Sequence, residues 1–185
     1  FLTNKHSAFA NDFYFEQKTK NALKYWGYSE VYTYSLVSED LIDGPIEGAI
    51  KLKNPLSEDM EYLRNSLIPS LLQVVDNNKS REVIRIFELA NTYHKKSKNL
   101  PDEKLILAGV LKRPNASFFE AKGLLEGIFE DLGIKNYKFK NRSDGAGANV
   151  LLLKDEIGYI EVLNNNLIDF EIDFDLILNY ATLKK

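Results

Sequence analysis

The chain has 185 residues, of which 44% are hydrophobic and 28% charged, ordinary values for one globular domain spanning residues 1–185. A balance of 24 basic against 27 acidic side chains argues against a dominant nucleic-acid surface. The absence of cysteine excludes disulfides, thiolate zinc sites and thiol catalysis.

Residues 11–26 place Phe15, Thr19, Ala22, Leu23 and Trp26 on one face of a 3.6-residue repeat. This predicts an amphipathic helix capped by Asn11 and ended by Gly27 in left-handed geometry. Residues 30–37 (EVYTYSLV) are dense in β-branched and aromatic side chains and predict a strand, after which Ser38 caps a short turn. Asp43, Gly44, Pro45 and Gly48 mark a loop before a strand over 49–52. Pro55 drives Asn54 out of helical geometry, so residues 54–57 (NPLS) form a turn. Ser66 precedes an apolar repeat at Ile68, Leu71, Leu72 and Val75, with Pro69 in the first turn, where its missing N–H costs little. That helix should run to Asn77. A strand is expected over 83–89, with 92–95 either continuing it or turning back.

Residues 104–111 (KLILAGVL) form a near-continuous apolar run, the pattern of a central strand buried on both faces. Phe118, Ala121, Leu125, Ile128, Phe129 and Leu132 make the stripe of a second long helix, ended by Gly133. Strands follow at 137–140, 150–153, 157–162 and 169–173, with a short helix at 176–180. Because many strands follow one another without an intervening helix, the fold class is α+β, a largely antiparallel sheet flanked by helices.

Several clusters invite a chemical reading. Asp169, Glu171, Asp173 and Asp175 alternate with Phe170, Ile172 and Phe174. Such a row offers oxygens to a hard cation, but period-2 alternation equally gives a solvated face opposite a buried one, and that account is preferred. Lys138, Lys140 and Arg142 interleave with Tyr137 and Phe139. Rings that stack on bases beside cations that meet phosphates can bind RNA, yet a half-buried strand with a charged exterior explains the pattern more simply. The loop over 143–148 (SDGAGA) lacks the lysine–serine pair and helix start of a phosphate-cradling loop and reads as a turn. His6 and His94 are the sole histidines, too few for a multi-histidine metal site, and neither lies in a triad signature. Arg64, just ahead of a helix, suits either a structural salt bridge or a functional carboxylate. No apolar run approaches the ~20 residues that span a bilayer, and no signal peptide opens the chain, so a cytoplasmic protein without a membrane partner is expected. Its start at Phe1 fits a fragment of something longer.

Five ordered pieces carry a family resemblance: residues 27–37 (GYSEVYTYSLV), 54–72 (NPLSEDMEYLRNSLIPSLL), 86–94 (IFELANTYH), 118–134 (FFEAKGLLEGIFEDLGI) and 156–163 (EIGYIEVL). Together they resemble the class II aminoacyl-tRNA synthetase-core-like domain of bacterial phenylalanyl-tRNA synthetase beta subunits. The second piece is the most specific. Ala90 stands where the family usually has glycine, and Glu161-Val162 where it has His-Pro, which leaves local loop geometry open. The resemblance implies an (αβ)₂ heterotetramer that attaches phenylalanine to tRNA(Phe) through an ATP-derived adenylate. It further implies that catalysis, ATP and Mg belong to the alpha subunit, and that this body pairs with alpha as a scaffold.

The residues agree with a missing active site. A class II core needs an arginine on the α-phosphate, because a permanently charged planar fork suits phosphate. The matching position in TYHKK is His94, mostly neutral at pH 7. A second arginine on a glycine-rich segment should follow, but residues 163–185 hold neither glycine nor arginine. No catalytic, cofactor-binding or metal residue is therefore assigned. Two alternatives stand beside this reading. One is a self-sufficient adenylating enzyme drawing on Arg64, Arg85 and Arg113, and the other is a tRNA-binding module on the strand of Lys138, Lys140 and Arg142.

Overall fold

The computed structural model describes residues 5–96, 100–143 and 145–182, with side chains from residue 11 onward; the His6 side chain and Asp144 lie outside that description. The first helix, α1 (Lys5–Tyr25), starts earlier than expected, so Asn11 is an exposed residue within it and not its cap. The segment from Lys5 to Asn11 contains no glycine or proline to stop the helix. Its end is as expected, with Gly27 at φ 86°.

A seven-stranded sheet forms the body. Its strands are β1 (Ser29–Glu30), β5 (Ile84–His94), β6 (Asp102–Lys112), β10 (Leu167–Asp173), β9 (Asp155–Asn164), β8 (Gly147–Leu152) and β7 (Tyr137–Asn141), in that spatial order. Every neighbouring pair is antiparallel except β1 with β5. The α+β class with a largely antiparallel sheet is therefore observed. Residues 92–94 continue β5, pairing with β6 from Ile84↔Lys112 to His94↔Asp102. As its apolar run predicted, β6 lies inside the sheet between β5 and β10 and is buried from Ile106 to Leu111.

The single strand expected over 30–37 does not form. Its ends are β1 and the separate β2 (Leu36–Val37), which pairs with β4 (Tyr62–Leu63), itself paired with β3 (Ile50–Lys51) in a second, three-stranded sheet. The chain must leave one sheet for the other between Val31 and Ser35, so strand propensity yields to topology there. Tyr32 and Tyr34 are consequently 77% exposed.

Alternation along β5 assigns the two faces of the large sheet. Phe87 and Leu89 join Leu107, Phe170 and Ile172 under α1 and α3 (Phe118–Asp131), whose Leu125, Ile128 and Phe129 are buried with them. Full burial of such side chains contributes about 1.5–3 kcal/mol each. Lys18 of α1 donates to the Asp131 carbonyl of α3, and Gly127 of α3 leaves room for Trp26, 2.9 Å from where a Cβ would stand. A capping box of Ser117 and Glu120 starts α3. On the other face, Ile84, Ile86, Ile106, Ala108 and Val110 pack against Leu71 and Val75 of α2 (Ile68–Asn77). The short closing helix, α4 (Phe174–Leu178), is capped by Asp173. Among the described residues no helix is long and apolar enough to cross a membrane.

One backbone contact is tight enough to test. Gly158 of β9 has φ 153°, and a Cβ there would lie 2.1 Å from the Glu171 carbonyl of β10. Gly158→Ala should destabilise the fold by about 2–3 kcal/mol, seen as a lower urea midpoint. Gly123→Ala, with open space around its added Cβ, should not. Equal midpoints for the two variants would refute the close approach.

Candidate functional site

The α2-side face of the sheet is only partly covered, and its open part carries the polar groups. Register brings Glu88, Thr92 and His94 of β5 into line with Lys104 of β6, then Asp169, Glu171 and Asp173 of β10, then Tyr159 and Glu161 of β9. Asn149 of β8 and Lys140 of β7 extend the row. A groove of about 780 Å³ lies over its outer end, lined among others by Asp43, Lys140, Arg142, Tyr159 and Glu161. A smaller hollow of about 260 Å³, sharing Tyr159, reaches His94 and Lys104.

The acidic row is not the solvated face its alternation implied. Asp169 is 2% exposed, and Oδ1 of this carboxyl has no hydrogen-bond partner among the described residues. Burial, reinforced by Glu161 and Glu171, pushes its pKa up to about 7. Glu171 accepts from Ser66 Oγ at 2.9 Å and the Leu67 amide at 2.9 Å, tying β10 to the approach of α2. Burial raises its pKa against these hydrogen bonds, which lower it. The Tyr159 hydroxyl donates to Glu171 at 3.4 Å, and burial, then the Glu171 charge, pushes that phenol up. Asp173 accepts from the Leu176 amide at 3.1 Å, and Asp175 from the Leu105 amide at 2.8 Å. Glu171, Asp173 and Asp175 thus tie neighbouring segments of the fold together through backbone amides. Among the described residues, no three metal-ligating side chains gather.

Arg64 forms a buried ion pair. It follows β4 and is 2% exposed, with Nη1 3.0 Å from Glu88 Oε1 and 2.8 Å from Thr33 Oγ1, and Nε donating to the Asn91 carbonyl at 3.0 Å. Glu88 also accepts from the Thr33 hydroxyl at 2.7 Å. This ion pair locks the second sheet onto β5. Glu88 went unnoticed in the sequence, although a lone acid between Phe87 and Leu89 was a usable signal: it needs a buried cation.

His94 ends β5, half-buried, with its Nε2 3.0 Å from Thr92 Oγ1. Burial, then the nearby Lys104 charge, lowers its pKa, so the ring is neutral at pH 7. The three candidate arginines do not form one cluster: Arg85 and Arg113 both neighbour Glu120, and Arg64 is held elsewhere. Arg64 is held by Glu88, Arg113 forks onto Glu120 at 2.6 and 2.9 Å, and Arg85 lines a hollow with Tyr28 and Glu120 on the α3 side. On the outer strand β7, Lys138 and Lys140 are exposed, while Tyr137 and Phe139 pack inward. Arg142, just beyond, meets Glu161 at 3.2 Å and lies 5.9 Å from the Tyr159 ring centroid.

Comparisons with known proteins agree with this architecture. The profile of a family described as the phenylalanyl tRNA synthetase beta chain CLM domain matches residues 3–176. The chain is 30% identical to the phenylalanine–tRNA ligase beta subunit of Carboxydothermus hydrogenoformans, over 97% of this chain and 27% of that protein. With the beta subunit of Geobacillus kaustophilus it shares 32% identity, over 80% of this chain and 21% of the relative. The chain therefore spans about a quarter of the length of these relatives. Two structures of pyrrolysyl-tRNA synthetase from Desulfitobacterium hafniense superpose with TM-scores of 0.73 and 0.75, covering 93% and 90% of this chain and 73% and 68% of theirs. At 15% and 17% identity the likeness is one of fold, that of a class II aminoacyl-tRNA synthetase core.

Proposed function

We propose, since this chain belongs to the phenylalanyl-tRNA synthetase beta-chain family, that it is a non-catalytic class II-like body holding the catalytic alpha subunit in an (αβ)₂ assembly. In this reading phenylalanine is joined to tRNA(Phe) by alpha, which also binds the ATP and Mg, and the whole works in the cytoplasm. The observation that carries it is His94: the position matched to the phosphate-binding arginine holds an imidazole kept neutral by burial and Lys104. A neutral ring lacks the permanent charge that a preorganised phosphate site needs. The nearest buried guanidinium, Arg64, is already committed to Glu88.

Support for a docking role comes from α1. Its inner face buries Phe15 and Leu23, while Phe13, Tyr14 and Tyr25 remain exposed at 63%, 49% and 90%. Tyr14 and Tyr25 lie eleven residues apart and so share one side of the helix. Aromatic side chains of this kind are enriched where proteins meet.

The test uses the full-length protein and its cognate alpha subunit. Co-purification of the two is expected, with phenylalanine-dependent ATP–pyrophosphate exchange in the complex and none above background in the beta protein alone. Clear exchange by the beta protein alone would establish the adenylating alternative. Failure to form any complex would remove the scaffold reading.

A further inference from the structure

Alternation along β5 puts Arg85 on the same side as Phe87 and Leu89, so a cation stands at the rim of the apolar surface beneath α3. The side chain is half-buried, and its guanidinium makes no hydrogen bond or ion pair among the described residues. Nη1 rests against the turn between α1 and β1, 3.7 Å from where a Cβ on Gly27 would stand. Arg85 lines a hollow of about 370 Å³ between the end of α1 and the first turns of α3, on the opposite face of the sheet from His94. The guanidinium also borders a second hollow, beside Val31 and Val74, whose described walls hold no aromatic ring.

A second donor meets it in the first hollow. Tyr28 is 7% exposed and lines the same space, and its hydroxyl has no hydrogen-bond partner among the described residues. Burial pushes its pKa up to about 12, so the phenol keeps its proton at pH 7. A tyrosine hydroxyl placed so deeply usually finds an acceptor. Glu120, also in the wall, is committed elsewhere: Arg113 takes its two oxygens at 2.6 and 2.9 Å, and the Ser117 amide shares one of them. Two guanidiniums beside this one carboxylate leave one positive charge in surplus. Trp26, Leu111 and Leu124 supply apolar surface, and nothing lies within 4 Å of a Cβ added at Gly123 on the open side.

A guanidinium fork with a phenol beside it matches the two oxygens of a carboxylate. One surplus charge suits a monoanion better than a phosphate dianion, and apolar walls suit a hydrophobic body. We propose that this hollow binds a small organic carboxylate with an apolar body, its oxygens on Arg85 and the Tyr28 hydroxyl and its body among Trp26, Leu111 and Leu124. The site uses none of the groups on which the scaffold reading rests.

The experiment uses the full-length protein with 2-naphthoate and hexanoate as probes, 2-naphthamide as the uncharged control, and calorimetric titration as the readout. Both carboxylates should bind, and the amide at least about tenfold more weakly than 2-naphthoate. Arg85→Gln should weaken carboxylate binding roughly tenfold to hundredfold, the worth of a charge-assisted hydrogen bond. Gly123→Leu, which fills the open side, should abolish binding while the urea midpoint of the ligand-free protein holds or rises. Tyr28→Phe should weaken binding about twofold to tenfold without lowering that midpoint, because the hydroxyl it removes satisfies no other group of the fold. Absence of binding by both carboxylates, equal binding of the amide, or affinity unchanged by Arg85→Gln and Gly123→Leu would overturn the proposal. So would a lowered midpoint in Tyr28→Phe, which would mean that the hydroxyl is already engaged within the fold. Binding of a hexaglutamate peptide in place of both probes would assign the fork to a protein carboxylate and remove the small ligand.

Discussion

Arg64→Leu is expected to destabilise the folded chain by about 3–5 kcal/mol, the cost of leaving a buried carboxylate without its partner. Glu88 is 1% exposed, so water cannot replace the guanidinium that now stands 3.0 Å away. The loss is also geometric. Arg64 holds the Asn91 carbonyl and Thr33 Oγ1 at the same time, and its own backbone pairs with Ser35 and Tyr93. Removing the side chain therefore loosens the second sheet from β5. Urea denaturation of the variant should show a lower midpoint. The double variant Arg64→Leu with Glu88→Leu should recover much of the loss, because no unpaired charge remains buried. If the single variant keeps full stability but abolishes an activity of the assembled protein, Arg64 is functional and the structural assignment fails.

The second large effect is a pH dependence centred on Asp169. Its carboxyl, ordinarily ionising at 3.8, is held protonated to about 7 by burial beside Glu161 and Glu171. The folded state therefore binds more protons than the unfolded chain between those two values, so stability falls as pH rises across that window and levels off above it. The contribution lost is a few kcal/mol, roughly 4 at most. Glu171, raised by burial, pulls in the same direction, whereas His94, lowered, withdraws stability as pH drops below its ordinary 6.5. Asp169→Asn should flatten the decline between pH 5 and 7.5, in thermal or urea melts, and be more stable than the parent at pH 8. An identical pH profile in the variant would mean that Asp169 ionises normally.

These two groups show where reading the sequence worked and where it stopped. Arg64 was visible as unusual because a cation sat immediately before a proline-initiated helix, but its partners Thr33 and Glu88 are 31 and 24 residues away. Pairing over such separations depends on which strands become neighbours, and local pattern carries no such information. Asp169 failed for a related reason. Alternation correctly put Phe170 and Ile172 on the opposite face, yet it assumed that the second face meets water. The approach to α2 closes over part of that face, so Asp169 is buried while Glu171 and Asp173 are half-buried and Asp175 is exposed. The basic strand kept its expected alternation, with Lys138 and Lys140 exposed and Tyr137 and Phe139 packed inward.

The sequence by itself determined the kinds of element, the α+β class, the central position of β6 and the family, because periodicity, proline and glycine placement and a long specific motif are local properties. The resemblance adds the proposal that His94 stands where a class II core would carry an arginine. Only the tertiary structure decided that residues 30–37 divide between two sheets, that Arg64 is spent on Glu88, and that Asp169 is buried while Phe119 is open. Each of these depends on which distant segment covers a given face, and burial sets both the charge a side chain can carry and the partner it requires.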